Sequence, residues 1–140
     1  MKNKLTLITC TLLLITLHGF SQTKPVQIVF DVTSKDTLTH QAVMRHVIGM
    51  AKAYPQSKFE VVLYGGSIGM VTKGQSTVAR SIEDLSTNKN VSFKVCAVTM
   101  KRYGIEQSQL LSGVQIVPDG ILEIVNKQSE GWGYIKEAHN

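Results

Sequence analysis

The chain has 140 residues, with 15 Lys and Arg against 10 Asp and Glu, 43% hydrophobic residues and two cysteines. That length holds one compact domain and excludes two, while the apolar share and the 18% charged content exclude a disordered or collagen-like chain. A formal charge of +5 invites a nucleic-acid surface, but Lys2 and Lys4 supply part of it at the extreme amino terminus.

Those two lysines precede an uncharged, largely apolar stretch from Leu5 to Leu17. Charged head and apolar run together read as a secretory signal peptide, with Gly19 and Ser21 at the −3 and −1 positions of a cut before Gln22. The domain division expected is therefore residues 1–21 as signal and 22–140 as a single domain in a periplasmic or secreted protein. A retained anchor would need about 20 apolar residues to cross the hydrocarbon core, and this run is shorter and rich in threonine. A lipoprotein site at Cys10 would leave almost no apolar segment upstream of it. Loss of Lys2 and Lys4 lowers the formal charge by two. The remaining basic residues are scattered without aromatic interleaving, so neither nucleic acid nor, after cleavage, a membrane is an expected partner.

Residues 26–32 are β-branched and aromatic and predict a buried strand. A loop over 33–37 follows, then a helix over about 38–54 whose Val43, Met44, Val47, Ile48, Ala51 and Tyr54 share one face. Asp36 is placed to cap that helix and Pro55 to end it. Residues 59–64 predict a second strand, leading into a glycine-rich connection from Gly65 to Gly74. That connection lacks the Lys of a phosphate loop and has no Gly-x-Gly-x-x-Gly, so it reads as a flexible turn. A second helix is expected over about 76–86, a third strand over 91–97, a short helix from Thr99 stopped by Gly104, and a fourth strand over 114–117. Asp119 is placed to cap a helix running to about Ser129, with Ile121, Leu122, Ile124 and Val125 inward and Gly131 at its C′ position. Residues 132–135 fit a last short strand. Alternation of strand and helix predicts a three-layer α/β/α sandwich around a mostly parallel sheet of about five strands.

In such a sheet, ligands meet the carboxyl ends of the strands. Cys96 falls at one of these ends, where a following helix aims free N–H groups at its sulfur and Lys94, Lys101 and Arg102 add positive potential; both favour the thiolate. The alternative is a packed, inert cysteine, a residue type often fully buried. With Cys10 removed, Cys96 has no intramolecular disulfide partner. Asp31 sits at the same edge, placed to orient a partner or to cap its own loop. His40 begins the apolar face of the first helix, as a proton relay or as a packed or capping histidine. His40, His46 and His139 are not at ligand spacing and no Cys-x-x-Cys occurs, so no metal site and no cofactor is expected. Nothing supports a Ser-His-Asp or paired-carboxylate hydrolase.

Three separated segments carry a resemblance: residues 91–105 around Cys96, residues 109–121 through Val114 and Pro118, and residues 127–136 around Trp132. With the 59–66 strand, they resemble the DsrE/DsrF-like family over nearly the whole chain after the signal segment. The resemblance implies a five-stranded parallel sheet and a homo- or hetero-oligomer. It also implies a place in sulfur relay, in which a cysteine at the position of Cys96 accepts sulfur as a persulfide and passes it to an acceptor protein. Binding roles for Asp31, His40 and Lys101 are expected around that cysteine. Export departs from the cytoplasmic setting of the known relays. The competing reading is a non-catalytic oligomeric module that binds a ligand or protein and keeps Cys96 buried; a redox sensor is a third.

Overall fold

The computed structural model describes residues 24–138, so the segment expected to be a signal peptide and Cys10 lie outside the described residues. Strand β1 (Gln27–Val32) leads to helix α1 (Thr37–Ala53), strand β2 (Lys58–Leu63) and a 3-10 helix (Gly65–Val71). Helix α2 (Ala79–Leu85), strand β3 (Val91–Cys96) and helix α3 (Ala97–Tyr103) come next. A short 3-10 turn (Gln107–Gln109), strand β4 (Val114–Val117), helix α4 (Gly120–Ser129) and strand β5 (Gly133–Glu137) complete the order. The five strands form one sheet in the order β4-β3-β2-β1-β5, with every neighbouring pair parallel. This is the α/β architecture that the alternation of elements implies.

The helix boundaries follow from local chemistry. The Asp36 carboxylate accepts the Leu38 N–H at 2.9 Å and opens α1, and Asp119 accepts the N–H groups of Ile121 and Leu122 to open α4. Gly104, at φ 66°, closes α3 in the left-handed conformation that glycine adopts without strain. The glycine-rich connection differs from the expected flexible turn. Its first seven residues wind into a 3-10 helix because Ser67, Ile68, Met70 and Val71 all bury against the sheet.

The two faces of the sheet are covered unequally. On one, Phe30 and Val32 of β1, Val61 and Leu63 of β2, and Phe93 and Val95 of β3 meet α1, α2 and the 3-10 helix in a continuous apolar core. On the other, the buried apolar cluster is only Val29, Val62 and Ile124, edged by Tyr64 and Trp132. Strand alternation explains the contrast, since the residues that point to this second face also include Asp31, Glu60, Ser92 and Lys94.

Helix α4 covers that polar face in a way the apolar pattern alone does not predict. Ile124 is buried as expected, but Ile121, Leu122 and Val125 are 59%, 56% and 49% exposed. The stripe turned to the sheet is instead Gly120, Glu123, Ile124 and Lys127, spaced i, i+3, i+4, i+7. A half-polar helix stripe thus meets a half-polar strand face, and the apolar stripe is left outside. Ile48 and Tyr54 also differ from expectation, lying 42% and 41% exposed on α1 and at its end rather than in the core.

The thick face dominates stability. Phe93→Ala is expected to lower the unfolding free energy by about 3–5 kcal/mol, whereas Ile48→Ala on the outer side of α1 should change it by about 0.5 kcal/mol or less. Urea denaturation of the two variants checks the contrast; equal losses would show that the first core does not govern folding.

Candidate functional site

Cys96 is both the last residue of β3 and the N-cap of α3. Its backbone is still extended there (φ −73°, ψ 122°), and the next residue begins the helix. That junction puts the side chain on the second face of the sheet, at the carboxyl ends of the strands. The residue is 5% exposed. It is not enclosed by hydrocarbon alone, because the first turn of α4 lies against it. A Cβ added at Gly120 would stand 3.2 Å from Cys96 Cβ and 3.3 Å from both Cβ and Cδ1 of Tyr64. A side chain at this position would force the cysteine or the tyrosine to give way by a few tenths of an ångström, and glycine spares both.

Burial pushes the Cys96 thiol up, but donors around the sulfur outweigh it and the net shift is downward. They are the Gly120 N–H, the Thr99 N–H and hydroxyl, and the Val98 N–H, each stabilising the thiolate. Thr99 is oriented for this, since its Oγ1 accepts the Gly65 N–H at 3.0 Å and its own proton remains free to donate. Four chain segments therefore converge on one sulfur: the end of β3, the start of α3, the first residue of the 3-10 helix through Thr99, and the start of α4.

Beside Gly120 lies a polar network centred on Asp31, which is 5% exposed. Its Oδ2 accepts hydrogen bonds from Tyr134 Oη at 2.7 Å and Tyr64 Oη at 3.4 Å, and its Oδ1 accepts one from Lys136 Nζ at 2.9 Å. Lys136 also donates to Thr33 Oγ1 at 2.8 Å and stands 5.7 Å from the centre of the Tyr64 ring. The Asp31 hydrogen bond, then burial, pushes the Tyr134 hydroxyl up to about 12. Burial, then the Asp31 charge, also raises Tyr64, to which Asp119 and Cys96 contribute. Tyr64 is the link between the two parts of the site, touching Asp31 with its hydroxyl and the Gly120–Cys96 contact with its ring base.

Of the residues singled out in the sequence, Cys96 and Asp31 come together at one edge. His40 does not join them: it is buried, and its Nε2 donates to the Ser34 carbonyl oxygen at 2.8 Å, pinning the β1–α1 loop. Lys101 lies exposed in the last turn of α3, the end away from Cys96, and Lys94 donates to Gln115 of β4. Tyr64, Thr99, Gly120, Tyr134 and Lys136 escaped sequence reasoning. The signal for Lys136 is the parallel register, which sets Asp31 directly opposite it, and that pairing spans most of the chain. Among the described residues, no three His, Cys, Asp or Glu side chains gather as a metal site would require, and no helix is long and apolar enough to cross a membrane.

The profile of the DsrE/DsrF-like family matches residues 27–136, from β1 into β5. The chain belongs to this family. A search of curated proteins returns no match. Among solved structures, a protein of unknown function from Methanobacterium thermoautotrophicum, MTH1491, is similar with 26% identity and a TM-score of 0.74. The alignment covers 79% of this chain and 98% of that one. The ychN protein of E. coli has the same fold at 17% identity and a TM-score of 0.67, over 81% of this chain and 99% of its own. BT1422 of Bacteroides thetaiotaomicron, of unknown function, shares the fold at 12% identity and a TM-score of 0.64, over 79% and 93% of the two chains. As a DsrE/DsrF-like protein, this chain has a fold of the sulfur-relay type.

The Asp31 network is open to titration. In this DsrE/DsrF-like domain, ultraviolet titration should find two of the tyrosines ionising above the ordinary range, and Asp31→Asn should bring both down by removing the charge opposite each phenolate. An unchanged tyrosine titration in Asp31→Asn would contradict the network.

Proposed function

We propose that this DsrE/DsrF-like protein is a sulfur carrier that holds sulfur as a persulfide on Cys96. The observation that carries the reading is the set of N–H and O–H donors around the sulfur, which lowers the thiol against the opposing effect of burial. A thiolate is the form that attacks sulfane sulfur. In the loading step, the Cys96 thiolate attacks the outer sulfur of a donor persulfide R–S–SH. The Cys96 S–S bond forms as the donor S–S bond breaks, and the donor leaves as the thiolate R–S⁻. In delivery, an acceptor thiolate attacks the outer sulfur of Cys96–S–SH and Cys96 departs as thiolate. The exchange is redox-neutral and needs neither metal nor organic cofactor. The same donors that hold the resting thiolate stabilise it as leaving group.

The donor in this reading is a protein that presents a persulfide, and the acceptor a protein that presents a thiol, at the α4–β3 edge. The exported location follows from the Lys2, Lys4 and apolar-run pattern at the amino terminus and is part of the proposal, as is assembly of the chain with further copies of itself. The outward apolar stripe of α4, with Ile121, Leu122 and Val125 at 59%, 56% and 49% exposure, supports that assembly, because burying it removes apolar area from water.

A second reading is favoured by the 5% exposure of Cys96: a binding module in which the thiol is only packed. Incubation with a polysulfide, followed by mass spectrometry of the native protein, separates the two. The carrier gains one sulfur atom on Cys96, the adduct is removed by a reductant, and Cys96→Ser gains none. An unmodified native protein whose thiol reacts only after denaturation would establish the module instead. For the assembly, sedimentation of wild type should show an oligomer and Leu122→Glu should shift it to monomer; a wild-type monomer at all concentrations would refute the proposed self-association.

A further inference from the structure

Glu60 is unexplained by the sulfur chemistry. It lies in the middle of β2 and is 4% exposed, on the second face of the sheet. Its Oε2 accepts from Ser92 Oγ at 3.1 Å, while its Oε1 is buried with no conventional partner. A lone buried carboxylate oxygen is costly to maintain. The group facing it from above is another carboxyl, that of Glu123 in the first turn of α4, within hydrogen-bonding reach. Two carboxylates cannot bond to one another, but a carboxylic acid and a carboxylate can, with one proton between them. The other neighbours are Lys127 of α4 and Lys94 of β3. The paired position on β1 is the apolar Val29. Lys127 is drawn toward Glu123 at 3.9 Å and Glu130 at 3.2 Å, and Lys94 toward Gln115, so neither lysine is dedicated to Glu60.

We propose that Glu60 and Glu123 share a single proton that seats helix α4 on the sheet, and that Glu60 is thereby a positioning residue for the Gly120 amide over Cys96. The helix is the mechanical link. Gly120 and Glu123 occupy the same sheet-facing stripe one turn apart, and the apolar hold on α4 from below is little more than Val29, Val62 and Ile124. Burial, reinforced by the Glu123 bond and charge, pushes Glu60 up to about 7 against the two lysines. The folded-state value exceeds the unfolded one, so the proton's contribution to stability is complete below about pH 4.5 and fades as pH rises through about 7. Above that, two facing carboxylates repel beneath a thinly held helix, and the first turn of α4 separates from Cys96.

The inference rests on the proposed role of Cys96 for its functional meaning, and its test is arranged to be independent of thiol chemistry. The full chain carrying Cys96→Ser is titrated from pH 5 to 9, and NMR follows the Glu60 and Glu123 carboxyl carbons with the Gly120 amide. The fluorescence of Trp132, the single tryptophan, over whose ring Lys127 stands at 5.0 Å, reports the other end of the helix. The expected result is one shared transition near pH 7 in the Glu60 carboxyl and the Gly120 amide, accompanied by falling thermal stability. It should vanish in Glu60→Gln, whose neutral amide donates to Glu123 at every pH; if that variant does not fold, Glu123→Gln serves by the same logic. A Glu60 carboxyl that titrates in the ordinary range overturns the proposal. So does a Gly120 transition that survives in Glu60→Gln, which would belong to another group. The persulfide experiment on Cys96 succeeds or fails separately from either outcome.

Discussion

The seating of α4 on the second face of the sheet is the contact on which the rest of the site depends. A parallel sheet must be covered on both sides, and among the described residues one side is covered by α1, α2, a 3-10 segment and Met100 of α3 while the other relies on the ten-residue α4. That helix turns its half-polar stripe inward. Its first residue supplies an N–H to Cys96, its side-chain-free Cα admits Tyr64, and its next turn meets Glu60. Thiol electrostatics, the tyrosine's position and the buried acid are therefore set by one docking geometry rather than by three separate ones.

The thiol illustrates how competing effects are weighed. Enclosure of a sulfur usually disfavours its anion, and at 5% exposure that effect is the largest single contribution at Cys96. Several aligned N–H groups from two helix starts, with the Thr99 hydroxyl, reverse the sign. The Lys and Arg side chains in the neighbouring sequence are not among the main causes of this shift. Lys101 and Arg102 sit at the far end of α3, and Lys94 is turned to β4. Around Cys96 it is backbone dipoles, not cations, that create the favourable potential, and such dipoles move only when the helices move.

Strand periodicity, capping aspartates and the Val43, Met44, Val47 and Ala51 part of the apolar face of α1 were legible in the chain, because each is a local property of a few neighbouring residues, whereas Ile48 and Tyr54 of that face lie exposed. The resemblance carried by the segments around Cys96, Val114 and Trp132 was legible as well, and the family match over residues 27–136 agrees with it. The orientation of α4 was not. Its Ile121, Leu122 and Val125 form the more apolar stripe, and nothing within the helix reveals that the sheet beneath presents Glu60, Ser92 and Lys94. The Asp31 network was half legible: Asp31 stood out at a strand end, but Tyr134 and Lys136 reach it only through the register of β1 with β5. His40 looked suited to chemistry by its place on α1, yet the loop carbonyl of Ser34 claims it.

The strand order carries a consequence for the birth of the protein. Strand β5 pairs with β1, and the Tyr134 and Lys136 bonds to Asp31 span more than a hundred positions of the chain. A polypeptide emerging from the ribosome in its natural direction exposes β1 first and its outer neighbour last. Until β5 has been made, the edge of β1 stays open and the Asp31 carboxylate lacks two of its three donors, so the cysteine edge acquires its full surroundings only when synthesis of the domain is essentially over.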